Sequence, residues 1–109
     1  MNSLNPVIPM EGKRQRDNEA PEVEWEIWVE NRLGIHARPA AQIMALAGQF
    51  DATIFLEKDG FQANARELLP LLSLGSPQGT RLVIKASGPE AREAAQALAG
   101  LFARKFGES

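Results

Sequence analysis

Between Val23 and Phe102 the spacing of apolar residues switches repeatedly between two and 3.6, and those switches leave few ways for so short a chain to fold. Val23, Trp25, Ile27 and Val29 alternate with Glu24, Glu26, Trp28 and Glu30, the pattern of a half-buried strand. After the loop Asn31-Arg32-Leu33-Gly34, apolar residues recur at Ala40, Ile43, Met44 and Ala47, which predicts a helix. Pro39 falls in its first turn, where a missing N–H costs nothing, and Gly48 stands where a glycine stop belongs. Residues 52–57 are rich in strand formers, Lys58-Asp59-Gly60 predicts a hairpin turn with positive φ supplied by Asp-Gly, and 61–65 is the returning strand. A short apolar helix over 67–74 contains Pro70, tolerable close to the first turn. The fourth strand spans 81–87, with Leu82, Ile84 and Ala86 on one face. Pro89 opens a last helix, whose apolar stripe is Ala91, Ala94, Ala95, Leu98, Leu101 and Phe102.

The order β-α-β-β-α-β-α predicts a two-layer α+β domain over residues 23–109. Four antiparallel strands form one sheet, three helices cover one of its faces, and polar positions take the other. Residues 1–22 contain Pro6, Pro9 and Pro21, a mixed-charge stretch, and none of the aromatic residues. So little apolar surface cannot offset the entropy of ordering, and a disordered extension is expected there, the Lys13–Arg16 cluster reading as solvated linker.

Composition removes whole classes of chemistry. There is no Cys, which excludes disulfides, thiolate metal sites and thiol nucleophiles. The only His is His36, so a His pair or a multi-His metal site is impossible, and no metal or cofactor is called for. A net charge of −2 argues against nucleic acid held by bulk positive charge. No apolar run is long enough to insert in a membrane and no signal-peptide core is visible, so a cytoplasmic protein is expected.

His36 lies where a loop meets a helix, followed by Ala37, Arg38 and Pro39. The N–H groups and partial positive charge of a helix start disfavour an imidazolium and favour a neutral, nucleophilic ring. The same field stabilises an anionic group placed on that ring, with Arg38 close enough to help. That combination suits a phosphoryl acceptor; a His that only fills the helix-start position is the plainer alternative. The segment Gly75-Ser76-Pro77-Gln78-Gly79-Thr80 superficially resembles a phosphate loop, but it lacks the Lys and precedes a strand, so it reads as a turn. Leu68, Leu69, Leu71, Leu72 and Leu74 cover roughly 220° of a helical wheel, about twice what a core-facing stripe needs. Some of them are therefore exposed as a contact patch, or the helix is buried deeply.

The string Asn31-Arg32-Leu33-Gly34-Ile35-His36-Ala37-Arg38-Pro39-Ala40-Ala41 resembles the active-site signature of HPr, the histidine-containing phosphocarrier family of the phosphoenolpyruvate-dependent sugar phosphotransferase system. Leu72-Ser73-Leu74-Gly75 and Gly79-Thr80 match as well, and the resemblance runs from Val23 to the end of the chain. It implies an open-faced β-α-β-β-α-β-α sandwich. His36 would accept a phosphoryl group on Nδ1 from phosphorylated enzyme I and pass it to the A component of an enzyme II. Arg38 and the Ala37 backbone N–H would hold that group, and Ala41, Leu68, Leu69 and Leu72 would form an apolar docking patch. The protein would be a monomeric, stoichiometric carrier rather than an enzyme. Three features depart from the family pattern: the N-terminal extension, Pro70, and Glu67 where many members carry a Ser phosphorylated by a kinase.

Two other readings are set beside this one. A regulatory binding module of the same fold, including a nitrogen-type branch, would act through protein contacts; retention of His36, Arg38 and Pro39 together favours the carrier. An RNA-binding α+β domain would need a basic, aromatic-studded strand; Phe55 and Phe61 read instead as hairpin packing.

Overall fold

The computed structural model describes residues 21–109. The expectation for the N-terminal extension therefore lies outside the described residues except at Pro21 and Glu22, and the Glu22 N–H already donates to the Ala86 carbonyl at 2.9 Å. The elements are β1 (Val23–Trp28), α1 (Ala37–Ala47), β2 (Thr53–Lys58), β3 (Phe61–Asn64), α2 (Leu68–Ser73), β4 (Arg81–Ser87) and α3 (Ala91–Ala103). A 3-10 turn, Lys105–Gly107, follows α3. The strands form one antiparallel sheet in the order β1-β4-β2-β3. This is the predicted two-layer α+β fold with its predicted element order.

The core lies between the sheet and the helices. Val23 and Ile27 of β1, Ile54 and Leu56 of β2, Ala63 of β3, and Leu82, Ile84 and Ala86 of β4 point to it. The buried residues of α3 are Ala91, Ala94, Ala95, Leu98, Leu101 and Phe102, the stripe its sequence period requires. Fully burying a side chain such as Leu98 or Phe102 contributes about 1.5–3 kcal/mol, so this stripe fixes α3 on the sheet.

The open face of the sheet differs from expectation. It carries ion pairs of Arg81 with Glu26 and of Lys85 with Glu24 and Glu57, but also the exposed Trp28 and the half-buried Val83 and Phe55. Phe55 and Phe61 do not pack on one another. Phe55 stands opposite Asn64 and Phe61 opposite Lys58, and these register positions belong to opposite faces of the hairpin. The hairpin turn itself is as expected, with φ of 52° at Asp59 and 85° at Gly60.

Two basic side chains finish helices that have no basic residue in their own last turn. Arg66 donates to the carbonyl of Ala47 at the end of α1 (3.1 Å) and to that of Phe50 just beyond it (2.6 Å). Lys58 donates to those of Leu74 (3.0 Å) and Gly75 (2.6 Å) beyond α2. Gly48 caps α1 in a right-handed conformation (φ −68°), not the left-handed one of a glycine stop, because its N–H continues the ladder to Met44. Helix α2 is shorter than predicted: Glu67 is its N-cap and Pro70 its third residue, where the ladder does not yet need a proline N–H. No helix of the described residues is long and apolar enough to cross a membrane.

Candidate functional site

His36 is the N-cap of α1, with extended backbone (φ −102°, ψ −168°), and its side chain does not cap the helix. The first main-chain bond of the helix runs from the Ala40 N–H to the His36 carbonyl at 3.0 Å. Pro39 has no N–H. The N–H groups of Ala37 and Arg38 are thus the ones a helical ladder cannot satisfy, and they open beside His36. Sequence alone placed this ring at a helix start; the structure leaves it half-buried, with Ala37 and Arg38 exposed.

The loop that delivers His36 is held from behind. Gly34 has φ of 69°, and a Cβ there would run into the carbonyl oxygen of Ser76. That same oxygen accepts the Ile35 N–H at 3.0 Å. The segment Gly75-Ser76-Pro77 is therefore a brace for the His36 loop, in keeping with its reading as a turn. Only a residue without a side chain lets the two loops approach so closely.

One side chain at the site escaped the sequence reading. Glu108 reaches back to the start of α1, where His36 Nε2 lies 3.0 Å from Oε1 and 3.3 Å from Oε2. Asn31 Nδ2 donates to Oε1 at 3.0 Å, and Arg38 Nη1 approaches Oε2 at 3.4 Å. These hydrogen bonds from Asn31 and His36, with the nearby cationic charge, hold the Glu108 carboxyl below its ordinary value of 4.5 against partial burial. An ionised carboxylate only accepts, so the proton on the neutral His36 ring belongs to Nε2 and the lone pair to Nδ1.

Glu108 arrives through the Lys105–Gly107 turn, in which Lys105, Phe106 and Gly107 all take left-handed φ (57°, 56° and 76°). Phe106 is buried edge-on against Phe102, with ring centroids 4.8 Å apart, and Gln42 donates to its carbonyl at 3.2 Å. The Arg32 N–H binds the Ser109 main-chain oxygen at 2.7 Å. The available signal was the four-residue spacing of Phe102 and Phe106 followed by Gly107, which turns the chain end inward.

The leucines of α2 divide. Leu71 and Leu74 are buried, while Leu68, Leu69 and Leu72 are exposed, Leu69 to 72%. Helix α2 packs against α1, whose exposed side carries Ala37 and Ala41 one turn apart. The loop before His36 adds Leu33, 69% exposed. Glu67 is exposed at the start of α2, with no side-chain capping bond.

The family profile described as "PTS HPr component phosphorylation site" matches residues 23–104. The chain belongs to the HPr family of phosphocarriers. Among similar proteins, phosphocarrier protein NPr of Escherichia coli K12 is 38% identical over 87 residues, which is 79% of this HPr-family chain and 97% of that protein. Phosphocarrier protein HPr of Cupriavidus necator is 35% identical over 78 residues, 72% of this chain and 88% of that one. The crystal structure of HPr from Thermoanaerobacter tengcongensis superposes with a TM-score of 0.77 at 39% identity, covering 80% of this chain and 98% of that one. The open-faced sandwich expected from the active-site string is thus the fold found.

Proposed function

We propose that this protein carries a phosphoryl group on His36 Nδ1, taking it from phosphorylated enzyme I and handing it to the A component of an enzyme II. The observation that carries the reading is the Glu108 carboxylate on His36 Nε2, which leaves Nδ1 as the nucleophilic nitrogen at the start of α1. In the accepting step the Nδ1 lone pair forms the N–P bond. The bond from phosphorus to the donor group breaks, and its electron pair leaves with the donor. The Nε2 proton stays against Glu108, where the carboxylate balances positive charge on the ring. The handing-on step is the same displacement with the acceptor as nucleophile and the protonated ring as leaving group.

The Ala37 and Arg38 N–H groups and the Arg38 guanidinium supply donors for the phosphoryl oxygens. Arg38 is 61% exposed and its contact with Glu108 is long, so the guanidinium can turn to a phosphoryl group at little cost. Ala41, Leu68, Leu69 and Leu72 form the docking patch for both partners, an exposed apolar surface on the adjoining helices α1 and α2. A regulatory branch, in which the protein acts through its contacts, is the second reading; similarity to relatives named NPr as well as HPr supports carrying it.

Incubation with enzyme I and phosphoenolpyruvate tests the proposal. One acid-labile, base-stable phosphoryl group should appear on the native chain, none on His36→Ala, and its transfer should slow in Arg38→Ala. Full-rate labelling of His36→Ala would end it. Comparing the A components of sugar-specific and regulatory systems as acceptors separates the two branches.

A further inference from the structure

Asn31 is fully buried beneath the loop that presents His36. Its Nδ2 uses both hydrogens, donating to the Gly34 carbonyl at 2.7 Å and to Glu108 Oε1 at 3.0 Å. Its Oδ1 is buried with no partner. Exchanging the amide nitrogen and oxygen would set an oxygen against a carbonyl and a carboxylate, so the orientation is determined by the two acceptors. An unpartnered buried oxygen costs stability. The amide is accounted for by its donors: one holds the loop and the other holds Glu108.

Glu108 needs such a hold. The turn that carries it passes through left-handed φ at two residues with side chains, Lys105 and Phe106, a conformation that persists only when surrounding contacts impose it. Phe106 in the core and Gln42 on its carbonyl fix the turn itself. Neither reaches the carboxylate. Oε1 of Glu108 lies between two donors, Asn31 Nδ2 and His36 Nε2, each 3.0 Å away.

We propose that Asn31 is a positioning residue for phosphoryl transfer: it holds Glu108 Oε1 against His36 Nε2, which keeps the ring proton on Nε2 and the lone pair on Nδ1. The proposal rests on the phosphoryl-carrier reading for its consequence in transfer, but not for its effect on the ring.

The first measurement is the ring-nitrogen chemical shifts of His36 in the 15N-labelled full chain, with the ring neutral and no partner present. The native protein should show the Nε2–H tautomer. Asn31→Ala, Asn31→Asp and Glu108→Ala should each show a mixture of tautomers. The second measurement is transfer from phosphorylated enzyme I. Each single variant should lose about ten-fold, in kcat rather than KM, the scale of one charge-assisted hydrogen bond. Asn31→Ala added to Glu108→Ala should cost far less than the product of the two single losses, because Asn31 acts on the ring through Glu108 and only its hold on the Gly34 carbonyl is left to lose. Native-like tautomers in both Asn31 variants would overturn the proposal. So would a double variant slowed by the full product of the two single losses, the result of a purely structural role. Should Asn31→Ala fail to fold by circular dichroism, Asn31→Asp, which keeps the volume, carries both measurements. If the native chain accepts no phosphoryl group at all, the functional reading fails and the tautomers alone decide the role of Asn31.

Discussion

The carboxylate of Glu108 lies 3.0 Å from His36 Nε2, although 72 positions separate the two residues. A ring that would otherwise share its proton between two nitrogens is thereby given a direction, and the charge that directs it comes from the far end of the chain.

That contact sets an acid dependence. The folded chain holds the Glu108 carboxyl below 4.5, chiefly through the Asn31 and His36 hydrogen bonds. A carboxylate depressed in the folded state contributes stability that is fully present above its unfolded value and is lost as pH falls through the folded one. The stability difference between the native chain and Glu108→Gln should shrink progressively as pH falls below about 5. Denaturant unfolding at a series of pH values measures it; a difference that persists unchanged to pH 2 would show that the charge makes no contribution.

Two neighbouring leucines should behave oppositely. Leu69 is 72% exposed and Leu71 fully buried. Leu69→Glu should leave the unfolding midpoint nearly unchanged and weaken binding to enzyme I at least ten-fold, the effect of a charge in an apolar contact. Leu71→Ala should cost about 2–5 kcal/mol of stability by leaving a cavity. Calorimetric binding and thermal unfolding of both variants check this. A large loss of stability in Leu69→Glu with unchanged affinity per folded molecule would remove the docking patch.

Gly34→Ala should be more damaging than its single methyl suggests. The residue has φ of 69°, and the added carbon would meet the Ser76 carbonyl oxygen that also accepts the Ile35 N–H. We expect a loss of about 1–3 kcal/mol from backbone strain and the forced separation of the two loops. Backbone shifts at Ile35 and His36 should accompany it. A variant as stable as the native chain, with unmoved His36 signals, would contradict the bracing role.

Glu67→Ser tests what the carboxylate at the start of α2 does. Glu67 has no hydroxyl, so phosphorylation of a side-chain hydroxyl at this position is chemically excluded in the native chain. A single carboxylate carries less charge and fewer acceptor oxygens than a phosphoserine, about −1 against −1.5 to −2. Equal rates of transfer from enzyme I to the native chain and to Glu67→Ser are therefore expected. Faster transfer to Glu67→Ser would mean that the native carboxylate acts as a permanent mimic of the phosphorylated state.

The sequence by itself determined most of what depends on local period and local chemistry. The stripe of α3 was legible because a residue's face on a helix follows from its position along the chain, and each apolar residue predicted for it is buried. The hairpin at Asp59-Gly60 was legible because positive φ has a residue preference. His36 at the start of α1 was legible because Pro39 marks a first turn. The division of the α2 leucines was not, since a segment apolar nearly all round carries no period to say which side meets the core. Nor was Gly48, whose backbone freedom went unused because its N–H continues the ladder to Met44 while Arg66, from the loop between β3 and α2, binds the carbonyls at 47 and 50. The meeting of Asn31, His36, Arg38 and Glu108 was decided by tertiary structure alone. It requires left-handed φ at Lys105 and Phe106, against their intrinsic preference, and burial of Phe106 against Phe102 holds the turn that makes it possible. A contact between residues this distant leaves no trace in local spacing. It exists because the packed core offsets the strain of the turn that delivers it.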